Sequence, residues 1–175
     1  MRILGIDPGL QRTGYGCLEF PGGDLNATPR VVEAGVLAFR ADESVASRLV
    51  ELEADLCALI GRVEPERVAV EALYAHHAHP RTAIVMAHAR GVILMTVQKM
   101  GKAPIEVPAT EVKKSLTGNG HAGKEQVREA VMTVLRLGAG GGAEGPSDVT
   151  DALAIAMCGA QRLIAAITSG GRRGV

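Results

Sequence analysis

Four acidic residues lie at the predicted ends of strands or at the predicted start of a helix, where folding could bring their side chains together. Asp7 and Glu71 each follow a short apolar run that is typical of a buried strand. Asp148 and Asp151 are three residues apart at the start of another apolar segment, which places both on one face of a helix. A carboxylate close to a protein core is costly unless a cation or several hydrogen-bond donors meet it. Four converging carboxylates would therefore suit a divalent cation.

The ligand types favour Mg²⁺ or Mn²⁺, because these hard cations prefer oxygen. Cys17, Cys57 and Cys158 are far apart and odd in number, so we predict reduced core residues instead of zinc ligands or disulfides. Two Mg²⁺ ions ~4 Å apart can activate water and stabilise the leaving oxygen in phosphodiester cleavage. Structural alternatives remain, since Asp7 could simply begin a turn and the other two aspartates could cap a helix.

The charges of the chain are unevenly distributed. Lys plus Arg and Asp plus Glu both number 19, yet residues 76–136 hold nine basic and four acidic side chains, together with all five histidines. The neutral total therefore combines an acidic part with a basic part. This pattern is expected of a metal-dependent enzyme that acts on nucleic acid.

The first half of the chain must position two of the acids. Strands predicted at 3–6, 13–20 and 31–39 form an antiparallel meander, with Pro21–Asp24 as a hairpin connection. Apolar residues at helical spacing predict a helix over 45–63, with Ser44 or Asp42 as its cap, and a fourth strand follows at 67–71. A strand–helix–strand crossover is right-handed and makes the fourth strand parallel to the first. Their carboxyl ends, with Asp7 and Glu71, should then lie side by side.

The second half supplies helices and one more strand. The predicted elements are helix 81–100, strand 104–107, and helices 110–116, 124–137 and 147–167, with a linker at 138–146. The helix at 81–100 is apolar nearly all round, so it is either internal or divided between the core and a partner subunit. We predict one domain over residues 1–169 and a disordered tail at 170–175. Without a signal peptide, and with Gln161 and Arg162 breaking the last apolar run, a soluble cytoplasmic protein is expected.

An ordered set of motifs resembles the RuvC family of Holliday junction resolvases, which has an RNase H-like fold. The motifs are Gly5–Gly9, Thr13–Gly16, Val70-Glu71, Ala89–Gly91, Val112-Lys113, the loop from Gly118 to Lys124, and Asp148–Ala156. They follow one another over nearly the whole chain, so the set is far more specific than any one piece. The resemblance implies an α/β fold with a five-stranded mixed sheet, three strands antiparallel and then two parallel, flanked by helices.

The resemblance also implies a function. It implies a homodimer that resolves four-way DNA junctions in recombination and repair, by paired nicks in strands of like polarity that leave 5′-phosphates. It implies Asp7, Glu71, Asp148 and Asp151 as catalytic ligands of two Mg²⁺ ions, for which Mn²⁺ could substitute. The branch-migration proteins RuvA and RuvB are implied as partners.

Several residues outside the acids are implied to contact DNA. Lys113 and Lys124 match basic residues at the rim of the active site, and we predict Lys114 and Arg81 as further DNA-binding residues, with an ordinary solvated helix face as the alternative for Lys113 and Lys114. Tyr74 stands where the family has a phenylalanine that inserts among bases. His76, His77 and His79 depart from the family, so no role is carried over to them, and solvated loop histidines are their ordinary interpretation.

Three other functions fit parts of the sequence. An actin-like ATP-binding domain shares the Ile6–Gly9 opening, but such proteins carry a second related domain that this chain lacks. A non-catalytic junction-binding module would not need all four acids. A YqgF-type nuclease of the same fold is a third alternative, which the basic residues at 113–124 and the spacing of Asp148 and Asp151 fit less well.

Overall fold

A computed structural model describes residues 1–72, 80–137 and 147–170. The strands are β1 (Arg2–Asp7), β2 (Arg12–Glu19), β3 (Arg30–Ala38), β4 (Arg67–Ala72) and β5 (Pro104–Pro108). The α-helices are α1 (Val45–Val63), α2 (Pro80–Lys99), α3 (Ala109–Thr117), α4 (Lys124–Leu135) and α5 (Ser147–Gly170). The linker 138–146, the histidines at 76–79 and residues 171–175 of the predicted tail lie outside the described residues.

The strands form one mixed sheet in the order β3-β2-β1-β4-β5. β1 pairs antiparallel with β2, and β2 with β3, whereas β1 pairs parallel with β4, and β4 with β5. The predicted α/β fold, with three antiparallel strands and then two parallel ones, is confirmed. Because β1 and β4 lie at the centre and run in the same direction, their carboxyl ends form one edge of the sheet.

Helices cover both faces of this sheet. Alternate residues of β1 face opposite layers, so that Ile3 joins the core under α5 while Leu4 and Ile6 join the core under α1 and α2. All three side chains are fully buried. The central strand is thus apolar and buried from Ile3 to Ile6, directly before Asp7.

Helix α1 has the predicted bounds, and its cap is Ser44. The Ser44 hydroxyl accepts a hydrogen bond from the Ser47 amide, as an N-cap does. The alternative cap, Asp42, is wrong, because its carboxylate accepts hydrogen bonds from Arg40 instead. The hairpin predicted at 21–24 is longer than expected, since a 3₁₀ turn at Pro21–Gly23 is followed by further residues before β3.

Helix α2 is buried on one face only. Ala89, Ile93 and Val97 are fully buried against the sheet, whereas Ile84 is 57% exposed and Met95 is 45% exposed. The wholly internal alternative for this helix is therefore wrong. Its division between the core and a partner subunit stays a prediction.

Helix α5 crosses the other face of the sheet and is the core helix of the domain. By length and composition alone its Ser147–Ser169 stretch could span a membrane, but half of the most apolar window is buried inside the fold. The stretch from Ala152 to Ala160 is buried throughout and contacts β1, β2 and β4. These contacts account for its apolar character.

Candidate active site

Two carboxylates meet at the edge formed by β1 and β4. The parallel register pairs Ile6 with Val70, so the next residues, Asp7 and Glu71, are neighbours. The interaction between the two carboxyl groups raises the pKa of Asp7 and lowers that of Glu71. The predicted adjacency of these two acids is confirmed by the strand pairing.

A very close approach of α5 to the sheet brings in the other two acids. A Cβ atom on Gly14 would lie 2.1 Å from the backbone oxygen of Asp148, and one on Gly5 would lie 2.1 Å from that of Ala152. Real side chains do not tolerate such distances, so only glycine fits at either position. The first turn of α5 can therefore lie directly over the end of β1.

Three of the four acids line one cavity. Its volume is about 320 Å³, and Asp7, Glu71 and Asp151 share its wall with Lys113 and Lys124. The remaining lining is apolar and comes from α3, α4 and α5, which include Val112, Val127 and Ile155. The cavity thus joins a negative cluster to two lysines in a partly apolar setting.

Asp148 has a different partner. Its Oδ2 accepts a hydrogen bond from Arg12 Nε at 2.8 Å, and it is not among the residues that line the cavity. Within residues 1–72, 80–137 and 147–170, no three His, Cys, Asp or Glu side chains have the spacing of a formed metal-binding cluster.

Electrostatics in the cavity disfavour further negative charge. Burial, followed by the charges of Glu71 and Asp151, raises the pKa of Asp7 from 3.8 to about 8. Burial also raises the pKa of Glu71, against the opposing hydrogen bond from Asp7. A cation would remove the penalty for ionising these groups, so the oxygen-rich donor set fits a hard divalent metal.

Asp151 is poised between its acidic and basic neighbours. Burial raises its pKa, the charges of Lys124 and Lys113 lower it, and the charge of Asp148 raises it again. The lysines therefore already stabilise anionic charge at this point. The same two ammonium groups could bind a phosphate that approaches the acids.

The other predicted DNA-binding residues are less closely placed. Lys114 is exposed on α3 and does not line the cavity. Arg81 lies in the first turn of α2, and nothing is described of its side chain. Tyr74 lies outside the described residues.

Two arginines lie near the site, and the spacing of the acidic residues in the sequence does not predict either of them. Arg90 Nε donates to the backbone oxygen of Glu71 at 3.1 Å, and its guanidinium also contacts Glu106. Arg12 holds Asp148 as described above. Arg90 stood inside one of the resembling motifs, whereas Arg12 could not be linked to Asp148 before the contact of β2 with α5 was known.

Carboxylates gathered at the ends of β1 and β4 and beneath α5, on this strand order, define the RNase H-like class of nucleases. Within that class the chain belongs to the family described as "Crossover junction endodeoxyribonuclease RuvC", whose model matches residues 3–159. This finding confirms the resemblance and favours it over the actin-like and YqgF-type alternatives.

Similar proteins cover almost the whole chain. The protein of that name from Synechococcus sp. (strain CC9311) is 38% identical over 161 residues, which are 91% of this chain and 98% of that one. The one from Anaeromyxobacter dehalogenans (strain 2CP-C) is 42% identical over 171 residues, 98% of this chain and 86% of that one. The structure of Thermus thermophilus RuvC in complex with Holliday junction substrate has a TM-score of 0.80 at 31% identity, covering 90% of this chain and 92% of that one.

Proposed function

We propose that this protein resolves four-way DNA junctions by metal-dependent nicks in two strands of like polarity, leaving 5′-phosphates, in recombination and repair. The observation that carries the proposal is the convergence of Asp7, Glu71 and Asp151 on one cavity that Lys113 and Lys124 also line, in a chain of this family. Carboxylates supply ligands for cations, and lysines supply charge for a phosphate. Both can stabilise the charge that develops when a phosphodiester is hydrolysed.

Asp7, Glu71, Asp151 and Asp148 would together hold two Mg²⁺ ions, with Mn²⁺ able to substitute. When bound, such a pair of ions activates water and stabilises the leaving oxygen. Asp7 would give up its proton on binding the metal, because one proton cannot share the carboxyl with a cation. The ion pair with Arg12 would hold Asp148 at the start of α5.

The lysines would act on the phosphate. Lys113 and Lys124 would hold the scissile group and stabilise the negative charge that develops on it, since both face the acids across the cavity. Lys114 and Arg81 would contact neighbouring backbone phosphates. Tyr74 would stack its ring on an unpaired base at the junction centre, as aromatic side chains do in single-strand binding.

A four-way junction presents two equivalent strands, so a symmetric dimer suits it. The exposed stripe of α2, defined here as Ile84, His88, Gly91 and Met95, recurs at helical spacing on the face away from the sheet. We place the interface between two copies of the chain on this stripe. The cytoplasm is the compartment that fits three unpaired cysteines, and RuvA and RuvB would be the branch-migration partners.

Cleavage of a synthetic four-way junction tests the proposal. The junction and a linear duplex of the same sequence are incubated with the protein in Mg²⁺ and in EDTA. We expect nicks only in the junction and only with Mg²⁺, at symmetric positions in two strands. Equal cleavage of the duplex would indicate a general nuclease, and junction binding without cleavage in Mg²⁺ would indicate a non-catalytic module.

A further inference from the structure

A second cavity lies beside the active site, next to the turn between β1 and β2. Its volume is about 520 Å³, and its polar lining consists of Gln11 from the turn, Arg12 from the start of β2, Arg48 from α1 and Thr82 from α2. None of the described residues that line it is acidic. This cavity has no role in the function proposed above.

Arg48 brings a buried positive charge to this cavity. The residue is only 9% exposed, and its Nε has no hydrogen-bond partner in the described part of the chain. Its Nη1 donates to the backbone oxygen of Leu10 at 3.5 Å, which is the outer limit of a hydrogen bond. No carboxylate of residues 1–72, 80–137 or 147–170 forms an ion pair with it. Since a guanidinium stays protonated, its charge is uncompensated within the described part of the chain.

The surroundings of Arg48 add to the positive potential. Arg12, whose Nε is ion-paired with Asp148, is a second guanidinium in the same lining, and Gln11 adds an amide that can donate. Thr82 lies in the first turn of α2, so the positive end of that helix dipole is close to the cavity. A buried unpaired arginine, a second arginine and a helix N-terminus together favour a ligand with concentrated negative charge and several acceptor oxygens.

We propose that this cavity binds one phosphate group of the junction DNA, close to the phosphate that is cleaved. The inference rests on the proposed function for the source of the phosphate. Arginine forms paired hydrogen bonds with phosphate oxygens, and the guanidinium of Arg48, which lines this cavity, would supply donors for such a pair. Arg12 lies between the two sites, because it lines this cavity and also donates to Asp148.

Thermal melting in inorganic phosphate tests the site without DNA or metal. The full chain is melted in EDTA in phosphate and in chloride of equal ionic strength, as wild type and as Arg48→Met, Arg67→Met and Lys124→Met. Arg67→Met removes the same charge from an exposed residue at the opposite end of the sheet. Lys124→Met removes a lysine from the carboxylate cavity.

Phosphate should raise the melting temperature of wild type, Arg67→Met and Lys124→Met by roughly 3 °C at ten times its dissociation constant, and should leave Arg48→Met unchanged. In chloride Arg48→Met should melt at or above the wild-type temperature, because it loses a buried unpaired charge. The absence of a phosphate effect in wild type, or its survival in Arg48→Met, would overturn the site. If Arg48→Met does not fold, Arg48→Lys is melted in its place. A phosphate-induced rise in the melting temperature of Arg48→Lys as large as that of wild type would refute a role for the guanidinium.

Junction binding in EDTA identifies the source of the phosphate. Arg48→Met should lower the salt slope of junction binding by about one unit, and phosphate should compete with the junction in wild type at fixed ionic strength. An unchanged slope together with independent binding of phosphate and junction would overturn the assignment to DNA. These measurements need no cleavage, so a failure of the nuclease proposal would be seen separately in the Mg²⁺ assay.

Discussion

The metal-free protein should lose stability as the pH rises, and Asp7 should be the main cause. The pKa of Asp7 is about 8 in the folded chain and 3.8 in an ordinary carboxyl group. Because the folded value is the higher one, the protonated group stabilises the fold fully below about pH 4, and this stabilisation is lost as the pH rises towards about 8. At 1.36 kcal/mol per pKa unit, the loss from this group between pH 4 and pH 7 has an upper limit of ~4 kcal/mol.

Replacing Asp7 by Asn should remove most of this pH dependence. The amide keeps the shape of the side chain and carries no charge to bury, so Asp7→Asn should unfold at higher urea than wild type at pH 7 in EDTA. The assay is urea unfolding with linear extrapolation at pH 5, 6, 7 and 8. Asp55→Asn on the exposed face of α1 is the matched control and should follow wild type. Mg²⁺ should restore stability at pH 8 to wild type and not to Asp7→Asn.

Two results would refute this reasoning. The first is a free energy of unfolding for wild type that does not fall between pH 5 and pH 8 in EDTA. The second is an Asp7→Asn variant that is less stable than wild type at pH 7 and 8. Either result would mean that the carboxyl group is not held in the buried acidic cluster described here.

Three further changes probe the helices around the site. Gly14→Ala should push α5 off the sheet, because its Cβ would lie 2.1 Å from a backbone oxygen of that helix. Junction cleavage by this variant should fall by ~10²-fold or more. Gly61→Ala on α1 is the control and should cleave normally, because there is open space around Gly61. Lys124→Ala should slow single-turnover cleavage by ~10²-fold with junction affinity nearly unchanged; wild-type turnover would refute its role. Ile84→Glu should convert dimers to monomers in sedimentation velocity, whereas Val50→Glu, exposed on α1, should not; a wild-type monomer would contradict the interface.

The adjacency of the first two acids was predictable because it follows from local rules. Apolar runs that end in an acid located Asp7 and Glu71 at strand ends, and the strand–helix–strand crossover made the strands parallel. The mixed sheet followed from the same steps. These inferences need only hydrophobic patterns and chirality, which a single sequence contains.

The remaining contacts depend on how distant elements pack. Sequence spacing could not show that Gly14 makes room for α5, or that Arg12 pairs with a residue 136 positions away. Arg48 did have a signal that was missed. It lies four residues before Leu52 on the apolar stripe of α1, so helical periodicity places its charge on the buried face. A charged residue on such a face is a candidate ligand-binding residue.

Single-turnover nicking of a four-way junction across a Mg²⁺ titration tests the central claim most directly. We predict that wild type and Asp55→Asn nick two strands of like polarity with a saturable dependence on Mg²⁺. Asp7→Asn and Glu71→Gln should bind the junction at least as tightly as wild type and should not nick it at any Mg²⁺ concentration. Nicking by Asp7→Asn or Glu71→Gln at the wild-type rate would contradict the assignment of these carboxylates as the ligands of the catalytic metals.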